Sequence, residues 1–183
     1  MKKKKTLFLL GSLVIAAIVL FAIFYPDFVE RNKIKYYVEK TGMKQEDVIK
    51  NLANIEKWSD KIQEDDSNFD YYIELSRAYE YLGDIDKSIE VYESYPNEKQ
   101  ENDSFLYHNN LAKIYDKNND YKEANNHYLE IIKNFNEQYP NSYVSLTENY
   151  ITLNDKDNAW KYYIEYQKIG GEDIEILKKL ESM

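Results

Sequence analysis

The feature that most restricts how this chain can fold is an internal repeat. Tyr72, Leu75, Ser76, Tyr79, Ser88 and Tyr92 recur in register as His108, Leu111, Ala112, Tyr115, Ala124 and Tyr128. They recur again as Tyr143, Leu146, Thr147, Tyr150, Ala159 and Tyr163. The spacing inside each copy is the same, and the copies are offset by 36 and then 35 residues. Periods of this size belong to stacked supersecondary units, none of which can bury its apolar face alone.

The spacing predicts two helices per copy. Tyr72, Leu75 and Tyr79 fall at i, i+3 and i+7, one stripe of a helix, and Ile85, Ser88, Ile89 and Tyr92 form the stripe of the next. Between them Gly83 ends the first helix, and Asp84 is placed to cap the second by accepting its free N–H groups. In the second copy Asp120 precedes Glu123 by three, which predicts a capping box. Pro140 opens the third pair at a first-turn position that tolerates it. Small residues stand on the first helices (Ser76, Ala112, Thr147) and on the second (Ser88, Ala124, Ala159), where they let neighbouring helices approach closely. Gly170 and Gly171 stop the last of these helices. Glu172–Glu181, with Ile174, Leu177 and Leu180 on one side, then predicts a terminal helix that covers the array. Upstream, Val29–Lys40 and Gln45–Ile62 read as helices, the latter spacing Ile49, Leu52, Ile55, Trp58 and Ile62 along one face. The motif does not fit residues 27–66, which read as a helical linker or degenerate capping pair. Five glycines and three prolines are too few for an all-β chain of tight turns.

This pattern resembles the tetratricopeptide repeat: an aromatic, two residues, Leu-small, two residues, Tyr, then Ala and an aromatic. The resemblance covers three copies, at about 69–102, 105–138 and 140–171, in a repeat region spanning 67–171. It implies an all-α fold, a right-handed α-solenoid of stacked antiparallel helix pairs, closed by a capping helix at 172–183. In this family the first helix of each pair lines a concave groove that holds a partner's peptide. Carried onto this sequence, that face comprises Asp70, Ile73, Arg77, Glu80 and Tyr81 in the first copy. The second supplies Leu106, Asn109, Lys113, Asp116 and Lys117, and the third Asn141, Val144, Glu148 and Ile151. The family's carboxylate clamp of Lys, Asn, Asn, Lys and Arg would fall on Ile73, Arg77, Asn110, Asn141 and Ser145; only Asn110 matches, so the sequence departs from that mode. The repeat tyrosines (Tyr72, Tyr79, Tyr92, Tyr115, Tyr128, Tyr143, Tyr150 and Tyr163) are expected in the core. Tyr81 and Tyr107 fall outside the pattern as candidate ligand contacts.

The N-terminus predicts a membrane tether. Lys2, Lys3, Lys4 and Lys5 precede the uncharged run Leu7–Tyr25, 19 residues long, closed by Pro26 and Asp27. At about 1.5 Å per residue it reaches nearly the roughly 30 Å of a hydrocarbon core. It exceeds the apolar core of a cleaved signal and lacks small residues for cleavage near its end, where Ala22 is followed by Ile23, Phe24, Tyr25 and Pro26. With no cysteine there is no lipoprotein signal. Residues 1–26 are therefore expected to form a cytoplasmic basic tip and single transmembrane helix, with the repeats outside the membrane. Nineteen tyrosines with abundant Lys, Asn and Ile fit a bacterial chain from an AT-rich genome.

Removing the four lysines takes the net charge from −9 to −13 for Asp27–Met183, which argues against nucleic acid as a partner. Without cysteine there are no disulfides or thiolate metal sites. Asp116, Asn118 and Asp120 match the first ligand positions of a calcium loop, but Tyr121 replaces its turn glycine and His127 its bidentate Glu. His108 and His127 are the only histidines and lack the i, i+4 spacing of a helical zinc site. No phosphate-binding glycine loop or nucleophile elbow occurs. The expectation is a non-enzymatic, membrane-tethered scaffold or adaptor for a protein or peptide, with no cofactor and no metal. An accessory subunit or ligand-sensing, receptor-like module of an envelope complex is the alternative, and homo-oligomerisation stays open.

Overall fold

A computed structural model describes residues 25–96, 104–135 and 139–183. The predicted transmembrane run lies, apart from Tyr25, outside the described residues, and no helix among those described is long and apolar enough to cross a membrane. The chain divides into two compact units at Leu52/Ala53, inside a helix rather than at the predicted 66/67 boundary. The second half of that helix belongs with the repeats because Trp58 stacks on Tyr71, ring centroids 5.8 Å apart.

In the first unit, α1 covers residues 25–41 and ends where Gly42 takes φ +70°. The Gly42 N–H donates to the Val38 carbonyl at 2.9 Å, a single-bond αL stop. Among its described residues, Tyr37 and Val48 are buried. α2 (Gln45–Glu64) follows.

The second unit carries α3 (Phe69–Tyr81), α4 (Ile85–Glu93), α5 (Ser104–Lys117), α6 (Tyr121–Phe135), α7 (Pro140–Thr152), α8 (Lys156–Lys168) and α9 (Ile174–Glu181). The described residues contain no strand. Each helix from α3 to α8 packs on the next, and α9 packs on both α7 and α8. The small repeat positions decide how closely: Ser76, Ser88, Ala112, Ala124, Thr147 and Ala159 are all fully buried. Where the first copy keeps serines they satisfy each other, with Ser76 Oγ 2.5 Å from Ser88 Oγ.

One turn closes all three pairs. Gly83, Asn119 and Asn154 occupy the same repeat position and all have positive φ, at 69°, 62° and 56°. Each donates its N–H three residues back, and the following aspartate donates five back: Asp84 to Tyr79, Asp120 to Tyr115 and Asp155 to Tyr150, at 2.8–2.9 Å. This is the Schellman arrangement, which needs glycine or a residue as tolerant as asparagine. Gly83→Ala is therefore expected to cost about 1–2 kcal/mol, read as a lower urea midpoint, whereas Gly83→Asn should cost less than half of that.

The caps depart from expectation. Asp84 holds the N-cap position of α4, but its side chain makes no cap bond and instead lies 3.4 Å from Lys87 Nζ. The equivalent Asp155 does cap, because Asn158 stands where Lys87 does and bonds the same carboxylate through both its N–H and its amide. The capping box is also absent: the Asp120 N–H is used by the Tyr115 carbonyl, and Glu123 accepts from Asn126. Tyrosine burial follows position. Tyr72, Tyr92, Tyr128, Tyr143 and Tyr163 are buried, while Tyr79, Tyr115 and Tyr150, in the last turn of the first helices, are only half-buried. Their rims reach outward, Tyr115 to donate to the Glu93 carboxylate and Tyr150 to stack on Tyr162.

Candidate functional site

The predicted face is carried by α3, α5 and α7, and the structure gathers only part of it. Arg77, Glu80, Tyr81 and Lys117 line one cleft of about 280 Å³ on α3 and α5. The end-to-end order of each first helix brings this about: the last turn of α3 lies beside the last turn of α5, so Lys117 Nζ reaches Glu80 Oε2 at 2.8 Å. Arg77 Nη1 is held by Glu74 at 2.5 Å, and Tyr81 stands free of the core at 61% exposure. Lys113, one turn before Lys117, is exposed. Both ion pairs are open to solvent and so contribute at most about 1 kcal/mol each, which leaves either cation available to an incoming acceptor.

Asp70 and Leu106 line a second cavity, of about 380 Å³, with Asp65, Ser67, Asn68 and Phe69. Ile73 and Asn109 are half-buried and line neither, and Asn141 is exposed at the start of α7. The third copy diverges. Val144 and Ile151 pack against the cluster built by Ala159, Tyr163, Ile176 and Leu180, and Glu148 pairs with Lys179 of α9 at 3.1 Å. The capping helix thus occupies the edge of α7 that the first two copies turn toward the next first helix.

Asp116 is also turned inward. Its carboxylate accepts from Tyr128 Oη and from Asn149 Nδ2, both at 2.6 Å, and Asn149 bonds Asn125 at 2.9 Å. Burial raises the Asp116 carboxyl above the usual carboxylate range, while the two donors pull it back. Burial, and then the Asp116 carboxylate, push the Tyr128 phenol up. The Asp116–Asn118–Asp120 run of the sequence is thereby divided, its first member serving the joint between α5 and α7 and the others the turn. Among the described residues no group of three or more His, Asp or Glu could hold a metal ion.

Tyr107 is a correction. Outside the repeat pattern, it was expected as a ligand contact, yet it is buried among Phe69, Tyr95, His108 and His127. The apolar surroundings came from Phe69 and Tyr95, which lie outside the six-position pattern and so gave no warning. Tyr81 keeps its exposed place.

No curated protein matches the chain. Residues 69–95 and 106–135 match the tetratricopeptide repeat family, and with their shared spacing, closing turn and buried small residues these two helix pairs are tetratricopeptide repeats.

Proposed function

We propose that this chain is a membrane-tethered docking module that takes a protein or peptide segment along α3 and α5, in the cleft of Arg77, Glu80, Tyr81 and Lys117. Repeats of this type mediate protein–protein interaction. The observation that carries the reading is the cleft itself, an exposed aromatic ring and two loosely paired cations on the seam of α3 and α5. An extended segment can lay its carbonyls and carboxylates against such a surface at little ordering cost to the scaffold. The four lysines and the uncharged run Leu7–Tyr25 support a single-pass anchor, with the repeats on the extracytoplasmic side. Tethering raises the effective concentration of the module near an envelope partner.

The test starts from alkaline-washed membranes, where a tethered chain stays while a peripheral one is released. From gently solubilised material, a specific partner is expected with the natural chain. Its recovery falls at least about tenfold with Arg77→Glu plus Lys117→Glu, at unchanged helical content. Equal recovery with both chains would place docking elsewhere.

A further inference from the structure

The two histidines lie on different helices of the second repeat and meet each other. His108 Nδ1 of α5 is 2.9 Å from His127 Nδ1 of α6. The ring centroids are 5.2 Å apart, little more than that distance plus one ring radius at each end, so the imidazoles stand end to end. Such a contact needs one hydrogen: one Nδ1 donates and the other accepts. A second proton would put two N–H groups head on. A zinc ion is a poorer fit, since tetrahedral bonds of about 2.0–2.1 Å need the nitrogens farther apart and both rings bent toward a common point.

We infer that the His108–His127 pair is a proton-operated latch, closed while it shares one proton and opened by a second. The surroundings favour the closed form. Tyr107 of α5 sets its ring edge-on to both imidazoles, and Tyr115 of α5 stacks on His127 at 5.7 Å. Glu130 of α6 attracts a proton to both rings, but it is shared with Lys133 at 3.2 Å. From α4, Glu93 is occupied by the Tyr115 hydroxyl. Burial outweighs Glu130: it lowers His108 and, with the His108 charge, takes His127 to about 4. The latch sits at a working joint. Tyr107 also packs on Phe69 and Tyr95 of the first repeat, and α5 carries Lys117 of the cleft. Opening it loosens the support of the face proposed to dock a partner.

The sign follows from the lowered value. The unfolded chain protonates these rings near pH 6.5, whereas the folded chain holds both lower, His127 at about 4, so the contribution is complete above 6.5 and is lost as pH falls toward 4. From pH 7 to pH 5 the folding equilibrium constant should drop roughly 20-fold from His127, and further from His108. Asp116, whose carboxyl is raised, acts in the opposite direction at the acid end and is common to all variants.

The experiment is a side-chain nitrogen NMR titration of the full chain in detergent micelles, with urea midpoints at pH 7 and pH 5. Expected are one Nδ1–H and one Nε2–H tautomer at pH 7, protonation of both rings displaced below pH 6.5 with His127 the lower, and a fall in midpoint that His127→Gln makes much smaller. Independent titration of both rings near 6.5 would overturn the latch, as would a fall in midpoint as large in His127→Gln as in the natural chain. Stabilisation of the natural chain, but not of that variant, by zinc at pH 7 would make the pair a metal site instead. The NMR titration decides the matter even if the variant fails to fold.

Discussion

Leu180→Asp is expected to release α9 rather than to unfold the repeats. Leu180 and Ile176 are fully buried against Ala159 and Tyr163. Together they bring about 3–6 kcal/mol of apolar burial to the docking of an eight-residue helix. An unpaired carboxylate in that setting costs more than the helix gains. A helix so short has no stability of its own, so undocking is the cheaper response. Asp173, which caps α9 through the N–H groups of Glu175 and Ile176, and whose carbonyl takes the Tyr163 hydroxyl, goes with it. Amide hydrogen exchange reads the outcome: protection vanishes from Ile174–Glu181 and weakens on α7 and α8, while α3–α6 keep theirs. Protection retained across α9 would contradict the assignment of this helix as the cover of the third pair.

The second large effect belongs to the middle of the stack. Leu111 is fully buried on α5, which packs on both α4 and α6. Truncation to alanine should cost about 2–5 kcal/mol, a large share of a domain stability of roughly 5–15 kcal/mol. Because neighbouring pairs stabilise one another, an interior loss is felt on both sides. The equivalent Leu75 keeps 7% exposure and lies in the first pair. Leu75→Ala should therefore shift the urea midpoint less than Leu111→Ala, and the reverse order would show that the stack does not behave as coupled units.

Much of this architecture is readable from spacing alone, because the residues that fix it are local. The six small positions are buried as expected, since a helix crossing that close admits nothing larger. The breaks fall where Gly83 predicts one, although in the later copies asparagine serves the same backbone, a substitution the αL preference of asparagine explains. What escapes the sequence is set by contacts between elements. Tyr107 looked unassigned because its partners Phe69 and Tyr95 belong to the preceding pair. The capping box fails at Glu123 because the turn already uses the Asp120 N–H. Glu148 and Ile151 share repeat positions with the cleft residues Arg77 and Glu80, yet α9 covers their edge. In the same way, nothing in the spacing of Asp116 announces Tyr128 and Asn149 as its partners.

The seams between successive first helices are fastened in two different ways. Glu80–Lys117 ties α3 to α5 and Glu148–Lys179 ties α7 to α9, both in solvent, where each yields for about 1 kcal/mol or less. Asp116–Asn149 ties α5 to α7 from a half-buried position, with Tyr128 and Asn125 behind it, and charge-assisted bonds of that kind are roughly twice as strong as neutral ones. In mechanical terms the polar ties are uneven, a firm one at the centre flanked by two that slip, while the apolar contacts of Tyr107 and of Ile176 and Leu180 hold the edges together. Added salt would loosen the two exposed ties while leaving the central, half-buried one largely unchanged.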